Sequence, residues 1–490
     1  MELITSFESG GQKTFGDVFT CKPELPEMTV GILGLGYFEY WRMYPALCET
    51  VRQDLDRIVE RLRQELPGVR VVYSGMVDTL DRAGEAGDLF AREQVQAVIV
   101  VAGTYLPDFI TLEVLNRIPG EPRLILFNTQ TGAALSPDDQ YVDTMRNSSL
   151  IAVSQLTGSL RKMKREYQVV VGDNRDADAY RQIRQLVEAM CAVRELRHST
   201  FGLIGHVFRG MYDLEFDRAR VRGFLGPEIL ALRPDFLVEC WEQVPEEESA
   251  AAAAALLERF PCRDVELDDI RRSCRIGLAM RRLCRRFGLD GLCFLGQHYL
   301  EKITGAPARM GASMLLEEDR IPVCCEGDIG GLVMMKLLQN FTGTAPFQAE
   351  WGQFDLKSNA LFLLGHGIGS PALAGDGSVV LTHSPEEWGF KGSGLNYELI
   401  LKPGTVTMGH FLNTGDSWRL LVSRGESLGF PRLECSELHA MVKVQSPVRE
   451  YLTQVLEKGA AHHLIVAHGD AVKELLYAAK LMRIESFFIE

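Results

Sequence analysis

The sequence holds no run of about eighteen apolar residues, so it predicts no membrane-spanning helix. It also lacks a basic excess: the formal net charge is −14. That balance argues against a broad phosphate-neutralising surface, because nucleic-acid binders release counterions through clustered Lys and Arg. A local basic run, Arg271, Arg272, Arg275, Arg281, Arg282, Arg285 and Arg286, is interleaved with Ile270, Cys274, Leu278 and Leu283. At that helical spacing it reads as the wet face of an amphipathic helix. The segment Met1 to Lys13 carries Glu2, Glu8 and Lys13 where a leader would carry a basic stretch and an apolar core, so a soluble, cytoplasmic protein is expected. The eleven cysteines include no Cys-x-x-Cys pair, which favours buried free thiols over disulfides or a zinc knuckle. Repeats and low-complexity tracts are absent as well.

What is present is enough for several cores. At 490 residues the chain exceeds the size at which one core stops growing, and roughly two to four domains are expected. From Met28 to about Gln130, short apolar runs (MTVGILGLG, VRVVYSG, AVIVVAG, RLILFNTQ) alternate with helical stretches, the first from about Pro45 to Glu65. Strands separated by helices imply right-handed crossovers and a parallel sheet covered on both faces. A second round runs through YQVVVGD, TFGLIGHV, the short apolar run Asp235 to Val238, a helix opened by Pro245, Glu246, Glu247 and Glu248, a helix Val265 to Phe287, and GLCFLG. Beyond about Thr342, short apolar segments are separated by Gly, Pro, Ser and Asn, the texture of antiparallel strands. The expected architecture is α/β: two doubly wound parallel-sheet domains, 1–167 and 168–340, and a mostly antiparallel C-terminal β domain, 341–490.

Gly31-Ile-Leu-Gly34-Leu-Gly36 follows the first strand but fails as a dinucleotide turn. The spacing puts Glu39 where a third glycine would stand, and a carboxylate there repels phosphate. Tyr37, Phe38, Tyr40 and Trp41 suit a sugar face or a subunit contact better. The informative segment is Ile321 to Ala374. Glu326 and Asp328 lie directly after an apolar strand and before a helix, Glu350 precedes Trp351 on an expected loop, and His366 ends LFLLG. Carboxylates with imidazole make a site that Mn²⁺ or Mg²⁺ accepts. Each residue also has a plainer reading: Glu326 as the cap of the next helix, Glu350 as surface loop, His366 as a satisfied strand-end histidine. In Gly459 to His468, His462 and His463 precede LIVA. Within a strand adjacent side chains face opposite ways, so one is expected as a ligand and the other as a neighbour.

The segments CCEGDIGGLVMMKLL, PFQAEWGQ, LFLLGHG and EKGAAHHLIVA resemble the C-terminal half of L-fucose isomerases. The late His-His and LFNTQTGAAL resemble L-arabinose isomerases. The resemblance implies an aldose–ketose isomerase working by proton transfer through an ene-diolate. It implies Glu326 and Glu350 as metal ligands and acid/base pair, His463 as a further ligand, and His366 near a ligand position of the arabinose enzymes. Mn²⁺ is the implied cofactor, with Mg²⁺ or Co²⁺ as substitutes. Tyr40, Trp41, Trp351 and His462 are expected to line the sugar. Position 350 is Glu where fucose isomerases carry Asp, so its carboxylate reaches about one methylene further. A homo-trimer or homo-hexamer is implied, with N-terminal aromatics of one subunit over the metal site of another. The partner is a monosaccharide, with no nucleic acid and no membrane. The competing readings are a sugar-binding or regulatory homologue without activity and another metal-dependent carbohydrate enzyme.

Overall fold

The computed structural model describes residues 25–295, 297–375, 379–385 and 392–490. They form two compact units, Leu25–Cys191 and Ala192–Glu490. In the first, β1 (Met28–Leu35), β2 (Val69–Tyr73), β3 (Ala97–Ala102), β4 (Arg123–Gln130) and β5 (Tyr167–Asp173) make a parallel sheet in the order β2-β1-β3-β4-β5. β1 and β3 are buried along their whole length, which is why they read as unbroken apolar runs rather than alternating ones. β5, placed by the sequence at the start of a second domain, pairs with β4 from Leu124↔Tyr167 to Gln130↔Asp173. The first unit therefore runs past position 167.

The second unit opens with a four-stranded parallel sheet ordered β7-β6-β8-β9, made of β6 (Thr200–Ile204), β7 (Glu228–Leu232), β8 (Gly291–Phe294) and β9 (Val323–Cys325). The run Asp235 to Val238, read as a strand-like segment, is helical within Pro234–Glu242. Pro234 is preset for the first helical position and lacks the N–H a ladder needs. The strand of this crossover is EILAL, Glu228–Leu232. The helices behind Pro245 and before Phe287 form at Glu246–Arg259 and Leu267–Phe287.

The rest is a nine-stranded mixed sheet. β10 (Phe347–Asp355), β11 (Ala360–Gly365), β14 (Gly404–Asn413), β15 (Trp418–Ser427), β16 (Leu438–Lys443) and β17 (His463–His468) are antiparallel neighbours, and a further β15–β16 pairing closes them into a ring. β13 (Asn396–Ile400) runs parallel to β16 and carries β12 (Val380–Thr382), while β18 (Glu485–Ile489) lies parallel to β15. Phe347, Ala349, Leu361, Leu363, Leu464 and Val466 pack in one buried cluster. Ile465 and Ala467, alternate residues of β17, pack instead with Leu332, Val333 and Met335 of the helix Ile329–Thr342. The ring thus turns one set of alternate side chains inward and the other toward the β9 helix.

That helix comes very close to the ring. A Cβ at Gly330 would stand 2.3 Å from the Phe411 carbonyl oxygen and 3.0 Å from the His410 ring, so only glycine allows the approach. All described cysteines are free, and among the described residues no helix is long and apolar enough to cross a membrane.

Candidate active site

The candidate residues lie on the face of the ring turned toward β9. β10 and β17 are in register with Glu350 opposite His463, and β10 and β11 with Glu350 opposite Leu364. Residues opposite each other share a face, and so do residues two apart. Glu350, His463 and His366, two residues beyond Leu364, therefore project together. Glu350 and Trp351 lie in a strand, not on the loop expected from the sequence, because the segment is paired on both sides. Their side chains diverge: Trp351 packs against the ring interior and its indole N–H donates to the Ala461 carbonyl (3.0 Å).

Glu326 arrives from the carboxyl end of β9, where a doubly wound sheet gathers its ligands. Both Glu326 (φ 64°) and Gly327 (φ 80°) are left-handed, an unusual conformation for glutamate and one that marks a tightly determined turn. The loop after β6 holds this turn: the Phe208 N–H donates to the Glu326 carbonyl (3.1 Å), and a Cβ at Gly327 would meet Val207 Cα at 2.5 Å. The cap of the following helix is Asp328, which accepts from the Gly331 N–H (2.7 Å). Glu326 is thereby left free to face the ring.

The distances are those of one cluster. His463 Nε2 is 3.1 Å from Glu326 Oε2, and its Nδ1 is 3.0 Å from Asp328 Oδ2. His366 Nε2 is 3.2 Å from Glu350 Oε1, and its Nδ1 is 3.0 Å from the Cys325 thiol. His462 Nε2 is 3.7 Å from Glu326 Oε2, and its Nδ1 is 2.6 Å from Asp213 Oδ2. Both histidines of the pair thus converge on one carboxylate, contrary to the alternation argument. β17 begins only at His463, so His462 lies before the pleat and is not bound by it.

The electrostatics follow from burial and partners. Burial alone would disfavour a charge on Glu326, but the nearby His462 ring and the hydrogen bond with His463 hold its carboxyl well below the ordinary range. Asp328 is likewise penalised by burial and still held low by His410 and His463. Glu350 is lowered chiefly by its contact with His366. Burial would depress His463, yet Asp328 and Glu326 on its two nitrogens push it up to about 9.

These residues fit a divalent cation. Ligand atoms of Glu350, His366 and His463 lie within 4.8 Å of one another, as do those of Glu326, His462 and His463, and of Cys325, Glu326 and His366. The buried Nε2 atoms of His366 and His462 complete no well-formed hydrogen bond among the described residues. Three carboxylates, Glu326, Asp328 and Glu350, have histidines as their partners here, and a cation would add the positive charge that such a cluster favours. Carboxylate oxygen with imidazole nitrogen is a donor set for Mn²⁺, Mg²⁺ or Co²⁺.

No protein-family model matches the chain. Sulfoquinovose isomerase of Alkalicoccus urumqiensis is 25% identical over 356 residues, 70% of this chain and 76% of that protein. Sulfoquinovose isomerase of Priestia megaterium is 20% identical over 349 residues, with the same shares. L-arabinose isomerase of Aeromonas hydrophila subsp. hydrophila is 22% identical over 446 residues, 87% of each chain. The chain is a homologue of these sugar isomerases.

In this sugar isomerase homologue, Glu326, Glu350, His366, His462 and His463 come together, whereas Trp351 is turned aside from them. Tyr40 and Trp41 belong to the first unit, where the Trp41 indole donates to Asp78 (2.7 Å) and Tyr40 stacks edge-on with Tyr37. A Cβ at Gly36 would fall 2.7 Å from the Trp41 ring, so this glycine serves ring packing rather than a phosphate. Four supporting residues were missed from the sequence: Asp213, Asp328 as a histidine partner, Gln348 and His410. Gln348 accepts from the Cys325 N–H (2.9 Å) and lies 2.7 Å from His463 Nδ1, and His410 Nε2 is 3.0 Å from both Asp328 oxygens. Only Asp328 left a signal, its place two residues after Glu326.

Proposed function

We propose that the chain is a metal-dependent aldose–ketose isomerase that moves a proton between C1 and C2 of a monosaccharide through an ene-diolate. The observation that carries this reading is the pair of carboxylates, Glu326 and Glu350, brought from different elements onto one histidine-rich crevice, with Glu326 3.1 Å from His463 and Glu350 3.2 Å from His366. Isomerisation must remove a proton from a carbon beside a carbonyl and return it to the neighbouring carbon. An ionised carboxylate within reach of that carbon serves as base, and a second one on another element can exchange the hydroxyl proton. Glu326, Glu350, His366 and His463 would hold the cation, and when bound it supplies Lewis-acid stabilisation of the developing negative charge.

Asp328 orients His463 through Nδ1, leaving Nε2 to face the site, the arrangement in which a carboxylate fixes the tautomer of a ligating imidazole. The Cys325 thiol, pushed up by burial, donates to the Gln348 side-chain oxygen (3.5 Å), and its sulfur is left to accept from His366 Nδ1 (3.0 Å), which would leave Nε2 of that ring to face the site. His462, anchored on Asp213, would hydrogen-bond a sugar hydroxyl.

A panel of aldoses and ketoses assayed with metal-stripped protein resupplied with Mn²⁺, Mg²⁺ or Co²⁺ tests the reading. At least one aldose–ketose pair should interconvert. Binding of a sugar without turnover under any metal would favour the non-catalytic alternative.

A further inference from the structure

The first unit holds a cavity of about 310 Å³ at the carboxyl ends of β4 and β5, lined by Asp54, Arg57, Arg61, Arg146, Asn174 and Arg175, among others. Four arginines face one aspartate in a protein whose net charge is −14. Asp54 is nearly buried and is spent on structure: Arg146 grips it through two nitrogens (2.7 and 2.9 Å), and Arg57 contacts it at 3.0 Å. Arg61 pairs with Glu65 (2.6 Å) and lies over the Tyr180 ring. Arg175 is exposed and has no ion-pair partner among the described residues. The neighbouring carboxylates are occupied by backbone, with Asp173 accepting from the Arg175 N–H and Asp176 from the Asp178 N–H.

The loop bearing Asn174 and Arg175 is built rather than loose. The Asn174 N–H donates to the Gln130 carbonyl (2.8 Å), and the Tyr180 hydroxyl donates to the Asn174 carbonyl (3.1 Å). Asn174 Oδ1 is nevertheless buried without a hydrogen-bond partner among the described residues. An unpaired buried acceptor costs free energy unless something supplies a donor.

We propose that this cavity binds a phosphate or sulfonate group carried on a small hydroxylated molecule. Guanidinium forks match tetrahedral oxyanions in shape and charge, and the polar side chains of Thr131 and Asn174 on the same lining suit a carrier that bears hydroxyls. The volume lies at the lower end of small-molecule sites, which run from roughly 300 Å³ upward, and so suits a ligand of monosaccharide-phosphate size. The residues that line the cavity all belong to the first unit and include none of the proposed metal ligands, and the proposal does not rest on the isomerase reading.

Titration calorimetry with glucose 6-phosphate, inorganic sulfate and glucose tests it. Glucose 6-phosphate should bind, sulfate should bind more weakly, and glucose should give no heat. Arg175→Gln and Arg57→Gln should each weaken glucose 6-phosphate at least tenfold with the far-ultraviolet spectrum unchanged, and Glu326→Gln should bind it as the wild type does. Absence of binding by both oxyanions, equal binding by the arginine variants, or loss of binding in Glu326→Gln would each overturn the proposal.

Discussion

At the residue scale, the account rests on Glu326 and Glu350 as charged groups. Glu326→Gln and Glu350→Gln should each lower isomerase turnover by roughly a thousandfold, the size expected for losing an acid/base group that is also a ligand. Circular dichroism should show the fold retained, and near-wild-type turnover in either variant would remove that residue from the mechanism. Asp328→Asn leaves His463 without a buried counter-charge and weakens the hydrogen bond of His410, and breaking such a buried pair costs roughly 3–5 kcal/mol; the urea midpoint reads it. The same cluster sets a pH signature in metal-free protein. Glu326 and Glu350 are lowered, so their contribution is present above the ordinary carboxylate value and is lost as pH falls through the folded ones. His463 is raised to about 9, so its contribution is full below its unfolded pKa of roughly 6.5 and fades as pH rises to about 9. A melting temperature that stays flat from pH 6 to 9.5 would contradict this. Glu326, His366 and His463 stood out because each stands at or beside an apolar run, whereas Glu350 was expected on a loop beside Trp351. Asp213 and His410 were not, since their partners lie 249 and 82 residues away.

At the scale of elements, the contact of the helix Ile329–Thr342 with the ring positions Glu326 against His463. Gly330→Ala drives a methyl into the Phe411 carbonyl, and overpacking of this kind costs roughly 1–3 kcal/mol. Gly158→Ala, in an exposed helix position with open space, should instead stabilise by roughly 0.5–1 kcal/mol. Urea unfolding of the two variants should move in opposite directions, and equal shifts would contradict the packing argument. The sequence showed β1, β3, β4 and β8 as continuous apolar runs because both faces of these strands are covered. It hid β10, where FQAEWGQFD mixes a buried half with exposed residues. Pairing with β11 on one side and β17 on the other makes a strand of a segment whose own pattern suggests a loop.

At the scale of the whole molecule, the alternation of parallel sheet and antiparallel segments was readable, but the closing of six strands into a ring was not. Ring closure depends on the β15–β16 pairing, which no local pattern encodes. Assembly is expected to be a closed homo-trimer or homo-hexamer, with Tyr40 and Trp41 of one subunit near the metal centre of another. Light scattering coupled to gel filtration should give a multiple of 54.7 kDa, and a fully active monomer would contradict the shared site. The most direct test of the central claim is titration of metal-stripped protein with Mn²⁺, following bound metal and isomerase activity together. The account predicts no turnover without metal, activity rising in proportion to one Mn²⁺ bound per chain, and loss of both in His463→Gln. Undiminished isomerisation by verified metal-free protein would contradict it.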